Sequence, residues 1–254
     1  MAMNTPHLRI PEKLAKEPLI EAVWEVRFSS KKQAVSELLP GMIYQSFPDR
    51  YPNTVRLPVA DIPASIVEQD PSLRYIPKIR LEGGGEAVQI GEHVFSLSCR
   101  RPYSGWKSFS SDIRKLISVV SNTSLIDHLE RFSLKYIDLI QFPEPPDLGC
   151  LNIDLKLGGH PISVQPVHIR TEIKEGGLMH IIQVVSPAEA SIPGNSAVLK
   201  GVLLDIDTIA TVGKNDSWDE IEARLETAHL ASKKTFFNLL TAETIERLEP
   251  EYME

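Results

Sequence analysis

The chain has 254 residues, of which 42% are hydrophobic and 24% charged, a composition that is typical of a folded globular protein and excludes a disordered or fibrous one. Its 27 Lys and Arg and 34 Asp and Glu give a formal net charge of −7, which disfavours non-specific binding to nucleic acid or anionic lipid, because both need a basic surface. No stretch is long enough to span a membrane and residues 1–20 lack an apolar signal core, so we expect a soluble cytoplasmic protein.

The first predicted strand covers residues 20–30, where apolar and polar side chains alternate with a period of two, as in a sheet with one buried face. A helical pattern follows, and Pro40 within it predicts two short helices or a kink. Five prolines between residues 47 and 72 predict an irregular connection with one short strand at residues 53–58.

Strands joined by tight turns are predicted next. Gly83–Gly85 and Gly91–Glu92 lie where turns would connect antiparallel neighbours. Apolar residues at helical spacing then form one stripe from about residue 105 to 121, which predicts an amphipathic helix with Trp106 in its first turn. Residues 131–142 return to the alternation of a strand.

The second half of the chain follows a similar order. After the proline-rich segment 143–150, two strands are joined at Glu175–Gly177 as a hairpin, and a further strand leads through a polar loop to a helix that begins at Trp218. Ser217 and Glu220 form the S-x-x-E pattern of a capping box at the start of that helix.

These elements predict an α+β protein in which antiparallel strands form the sheet or sheets and amphipathic helices pack on one face. The two β-rich halves are alike, since each ends in a helix led by tryptophan, and either internal duplication or coincidence would explain the likeness. The predicted organisation is a tail over residues 1–16, a first α+β half over 17–142, a linker over 143–150 and a second α+β half over 151–254.

Motifs for the commoner enzyme chemistries are missing from the sequence. The glycine-rich segment Glu82–Glu86 lacks the Lys-Ser/Thr of a phosphate loop and is interpreted as a hairpin turn. There is no G-x-S-x-G elbow, and Cys99 lies on the apolar side of a strand, where a thiol is usually inert. The seven histidines are scattered, without the i,i+4 spacing that brings two imidazoles together. We therefore expect no catalytic residue, metal site or cofactor.

Asp205 and Asp207 form an acidic motif that remains as a candidate after these exclusions. Alternation along a strand places both carboxylates on one face, about 7 Å apart, where they could hold Mg²⁺ with a third acid or a substrate phosphate. His229 would then be a candidate base or ligand. The alternative is that the two acids pair with Lys135 or Arg131 across the sheet.

A mixed-charge sheet face is the other candidate. If the helices cover the apolar sides of the strands, the opposite sides carry Glu25, Arg27, Arg131 and Lys135. Such a face is a platform for partner recognition, unless it is merely solvated or covered by residues 47–72.

The segment from Arg100 to Trp106 adds cations and the aromatic ring of Tyr103 beside a helix N-terminus. These residues would suit an anion or a nucleic-acid contact. An arginine beside a tyrosine also arises from plain stacking, without any ligand.

Several motifs occur in a fixed order: PLIEAVWEVRF, RPYSGWKSF, ERFSLKYIDLI, VLLDIDT and a late helix that carries AH. In this order the chain resembles a sporadically distributed family of uncharacterised prokaryotic proteins, from about Glu17 to Glu249. The matching positions are Pro18, Glu21, Glu25, Arg27, Phe28, Tyr103, Gly105, Trp106, Phe109, Arg131, Tyr136, Ile137, Asp205, Asp207 and His229. Lys135 and Asp138 depart from the family, which often has Arg and Asn there, and this weakens any role for a bidentate arginine contact.

The resemblance implies no established activity, but a patchy distribution suits horizontally transferred genes. We therefore expect a non-catalytic cytoplasmic binding or accessory protein, such as the antitoxin-like or partner component of a phage-defence or toxin–antitoxin module. Its acidic surface suits a basic protein partner, for example the product of a neighbouring gene; a homo-oligomer is left open, and a membrane partner is not expected. The alternatives are a metal-dependent phosphoesterase or nuclease that uses Asp205 and Asp207, and a small-ligand or nucleotide sensor, which needs a pocket between the halves.

Overall fold

A nine-stranded antiparallel sheet forms the centre of the protein in the computed structural model, which describes residues 9–31, 34–191, 198–213 and 216–252. The nine strands are β2 (Leu19–Ser29), β3 (Asn53–Arg56), β4 (Ile79–Gly83), β5 (Glu86–Ile90), β6 (Val94–Arg100), β7 (His128–Ile140), β10 (Val167–Glu175), β11 (Leu178–Ser191) and β12 (Val198–Thr211). Two short ribbons lie outside it, one of β1 (Lys13–Leu14) with β13 (Pro250–Glu251) and one of β8 (Lys156–Leu157) with β9 (His160–Pro161). The α-helices are α1 (Val35–Ser46), α2 (Ala64–Gln69), α3 (Trp106–Ser121), α4 (Trp218–Leu239) and α5 (Ala242–Arg247).

The strand order is β10-β11-β12-β7-β2-β6-β5-β4-β3, and it is arranged in the same way on both sides of the β7–β2 junction. On each side of this junction the strand beside it (β2 or β7) pairs with the strand (β6 or β12) that a long helix, α3 or α4, follows in the chain. Because β12, in the predicted second half, pairs with β7, in the predicted first half, one sheet runs through both. The boundary at residues 143–150 stays a prediction.

Helices α1, α3 and α4 pack on one face of this sheet, so the predicted α+β class with helices on one face is confirmed. Trp24 on β2 is fully buried in the resulting core and meets Phe95 edge-on at 5.4 Å between ring centroids. Trp218, in the first turn of α4, packs against the same Phe95 at 5.9 Å. A second cluster around Ile140, Val202 and the end of α4 fills the other end of the sheet.

Some local predictions need correction. Helix α1 continues through Pro40 without a break, so the prediction of two short helices is wrong; the missing N–H costs one backbone hydrogen bond while Val35, Leu39 and Ile43 stay buried on one stripe. Ser217 is the N-cap residue of α4, but its side chain makes no capping hydrogen bond, so the predicted capping box is wrong. No helix among the described residues is long and apolar enough to cross a membrane.

Candidate functional site

The sheet face opposite the helices carries the predicted mixed charges, and these charges pair with one another. Arg27 donates from Nε to Glu25 at 2.8 Å, and Arg131 donates to the same carboxylate at 3.2 Å. Arg100 lies 3.5 Å from Glu21 on the neighbouring strand. We call this face the open face. It consists of the alternate positions that point away from the helices on β2, β4, β6, β7, β10, β11 and β12.

Asp205 and Asp207 lie on the open face, as predicted from their spacing. Lys135 Nζ is 3.6 Å from Asp205 Oδ2, which also accepts a hydrogen bond from Gln183 at 3.1 Å. Asp207 is directly opposite Lys135 in the register of β12 with β7. Burial raises the pKa of both aspartates, and Lys135 partly offsets the rise. Cross-strand ion pairing with Lys135, rather than a Mg²⁺ site, is therefore the interpretation that fits Asp205 best.

Cations and acids are nearly balanced over the open face, which differs from the one-sided positive charge of a nucleic-acid surface. The cations are Arg27, Arg80, Arg100, Arg131, Lys135, Arg170 and Lys174, and the acids are Glu21, Glu25, Glu82, Glu172, Asp205 and Asp207. Further pairs join Arg80 to Glu82 and Arg170 to Glu172. Most of this charge is therefore neutralised within the face itself.

His229 lies on the other side of the sheet from the two aspartates. Its Nδ1 is 3.0 Å from the hydroxyl of Tyr136, whose side chain points toward the helices, whereas Lys135, the residue before it, lies beside Asp207 on the open face. The structure therefore does not bring Asp205, Asp207 and His229 together at one reacting atom. Among the described residues, no group of three or more His, Cys, Asp and Glu side chains is arranged to hold a metal ion.

A cavity of about 540 Å³ lies on the helix side, where elements from both halves meet. Its walls are the segment from Glu12 to Leu19, the turn before α3, the end of β7 and one face of α4. Three residues singled out in the sequence, Tyr103, Trp106 and His229, line it. Arg100, expected to act with Tyr103 and Trp106, is instead paired on the open face.

The aromatic wall of the cavity is fixed by contacts between α3 and α4. Gly105 has a φ of +85°, which favours glycine, and it lets the chain turn so that Trp106 begins α3. The Trp106 ring stacks on His229 with centroids 4.1 Å apart and planes inclined by 8°. Its Nε1 donates to Glu226 Oε2 at 2.7 Å, which ties the indole to α4 at both its edge and its face.

Burial keeps the hydrogen-bonding groups of this wall uncharged. It lowers the pKa of His229 to about 4, although Glu226 opposes the change. It raises the pKa of the Tyr136 hydroxyl well above 10, and the pKa of Tyr103 is raised for the same reason. The Tyr103 hydroxyl is buried beside Tyr136, but no hydrogen bond of good geometry satisfies it within the described residues.

Asp138 at the end of β7 is a cavity residue that the sequence reasoning did not select as a site. It is 5% exposed, and its pKa is raised well above 3.8 by burial, by Glu17 and by Asp205. The signal was present in the sequence, because strand alternation places Asp138 on the same side as Leu134, Tyr136 and Ile140. A carboxyl group within such an apolar row is unusual.

Comparison with known proteins gives no indication of the function. No protein-family model matches the chain, and neither curated proteins nor solved structures gave a significant match.

Proposed function

We propose that this is a non-catalytic binding protein and that the cavity between its halves is the binding site for a small organic ligand. The supporting observation is the cavity itself, whose volume of about 540 Å³ lies within the range of small-molecule sites. Its wall combines the Trp106 ring with the convergent polar groups of Tyr103, Tyr136, Asp138 and His229. Apolar surface with a few placed polar groups is the usual composition of such a site.

The protonation of these groups favours binding over chemistry. A histidine with a pKa of about 4 is neutral at physiological pH and is a poor carrier of protons there. Tyrosine hydroxyls with a raised pKa likewise keep their protons. Such groups donate and accept hydrogen bonds, which orient a ligand, without exchanging protons with it.

A variant that blocks the cavity tests this proposal. Leu230 lines the cavity and is 55% exposed, so Leu230→Trp would fill its mouth without disturbing the core. The matched control is Leu38→Trp on α1, where the leucine is 50% exposed and does not line the cavity. Ligand-observed NMR with mixtures of nucleosides, amino acids, amines and sugars should find compounds that bind the unmodified protein and the control but not Leu230→Trp. Equal binding to both variants, or no binding to the unmodified protein, would contradict the proposal.

A second proposal is that a protein partner binds the open face. It includes the antitoxin-like or phage-defence role and a cytoplasmic location, and it draws on the resemblance to the sporadically distributed prokaryotic family. It is supported by the partly exposed charges of that face, such as Arg100 and Glu21, whose side chains are 39% and 24% exposed. A partner of complementary charge could contact them. Pull-down of the neighbouring gene's product by the folded protein tests it, and the absence of a stable complex would count against it.

A further inference from the structure

We propose, on the basis of the binding function proposed above, that the ligand of the cavity is a small organic cation, an amine or a guanidinium, whose counter-charge is the carboxyl group of Asp138. The proposal rests on the juxtaposition of this buried carboxyl group with a second carboxyl group, Glu17, and the aromatic rings of Tyr103 and Trp106 around one cavity.

Asp138 is buried without a partner. Its residue is 5% exposed, it lines the cavity, and no hydrogen bond or ion pair joins its carboxyl group to any other residue that the structure describes. Proteins rarely bury a carboxyl group in this state, because its charged form loses hydration and gains nothing in return. A ligand that carries N–H donors and a positive charge would supply both the hydrogen bonds and the missing charge.

The surroundings of Asp138 reinforce the need for a cation. The two ionisable groups that act on Asp138, Glu17 and Asp205, are also acids, and both raise its pKa. The pKa of Glu17 is itself raised by burial, although Arg101 opposes this. A cation in the cavity would reverse these effects and favour the carboxylate of Asp138, so its binding should release a proton.

Two of the three lysines that line the cavity are bonded to other groups. Lys233 donates from Nζ to the backbone carbonyl of Glu12 at 2.7 Å, and Lys13 pairs with Glu251 at 2.9 Å. Lys107 is exposed at the rim. The carboxyl group of Asp138 is therefore left to the ligand, and the Trp106 ring, which stacks on His229 by one face, also lines the cavity and would attract a cation.

The test compares head groups joined to a phenyl ring by a short alkyl chain. Phenethylamine and benzylguanidine carry the cation, hydrocinnamate carries a carboxylate, and hydrocinnamyl alcohol is neutral. Each is titrated calorimetrically into the unmodified protein, into Asp138→Asn, and into Asp207→Asn as a control that removes an acid from the open face. We expect at least one cation to bind about tenfold or more tightly than the other two head groups, and Asp138→Asn to remove that preference while Asp207→Asn keeps it.

Proton release gives a measurement that does not depend on any variant. Titrations at mildly acidic pH, in two buffers that differ in ionisation enthalpy, should show that cation binding to the unmodified protein releases protons and that binding of the alcohol does not. Stronger binding of the carboxylate or the alcohol, or failure of both cations to bind, would overturn the cation proposal. The proposed binding function would still stand if Leu230→Trp abolished binding of any other compound, so the two failures can be distinguished.

Discussion

Replacing His229 by glutamine should make the stability of the protein less sensitive to acid. Glutamine keeps a polar group that can bond to the Tyr136 hydroxyl, 3.0 Å from the imidazole, but it does not titrate. In the folded protein the pKa of His229 lies at about 4, against an ordinary value of 6.5, because the ring is buried between Trp106 and Tyr136.

The size and sign of the effect follow from proton linkage. Above pH 6.5 the imidazole is neutral in both the folded and the unfolded chain, so it adds no pH dependence. As the pH falls from 6.5 toward 4, the unfolded chain takes up a proton that the folded chain refuses, and the free energy of unfolding decreases. Since one pKa unit corresponds to about 1.4 kcal/mol, the fall from 6.5 to about 4 gives a loss of about 3 kcal/mol.

Urea unfolding of both proteins at several pH values between neutral and mildly acidic measures this loss. The unmodified protein should lose about 3 kcal/mol more than His229→Gln between pH 7 and pH 4. His160→Gln, a change at an exposed histidine on β9, is the control and should follow the unmodified protein. Parallel pH curves for the unmodified protein and His229→Gln would refute the reasoning, because they would show that His229 is free to take up its proton in the folded state.

Three further variants test the core and the buried charges. Trp24→Ala, at a fully buried position, should lower the free energy of unfolding by about 3–5 kcal/mol in urea, and a loss below about 1 kcal/mol would contradict the packing described. Arg50→Ala should lower the free energy of unfolding by about 1–3 kcal/mol, because Glu86 and Asp112, at 2.8 and 2.6 Å, lose their shared cation while Asp112 keeps Lys115 at 3.0 Å; a thermal shift equal to that of an exposed arginine variant would contradict this. Asp138→Asn should raise the melting temperature at neutral pH but not at acid pH, where the acid is already neutral, and a gain that is independent of pH would exclude the charge as its cause.

Local patterns predicted much of the fold. The strand over residues 20–30 and the two helices led by Trp106 and Trp218 follow from periods of two and of 3.6, and the structure contains all three. The order of strands could not be predicted from these periods. The pairing of β2 with β7 joins residues about a hundred positions apart, and a local period does not specify which distant strand will pair. The intact helix through Pro40 shows that burial of an apolar stripe can outweigh a local breaker.

The candidate site was predicted only in fragments. Tyr103, Trp106 and His229 were each selected, but sequence could not show that α3 and α4 bring them to one cavity. His229 was grouped with Asp205, although alternation places Asp205 on the polar side of β12 and His229 borders the apolar stripe of α4 at Leu225 and Ala228, which packs on the other side. Asp138 could have been found, since its place in an apolar alternation is visible in the sequence itself.

The ribbon of β1 with β13 has a consequence for synthesis of the protein on the ribosome. The wall segment from Glu12 to Lys16 is translated early, yet its supports are residues 248–251 and the ammonium group of Lys233, which bonds to Glu12 across 221 positions. A nascent chain can therefore complete its β2–β6 pairing long before this wall has anything to hold it. The cavity should therefore be complete only once the last of these residues has emerged from the exit tunnel.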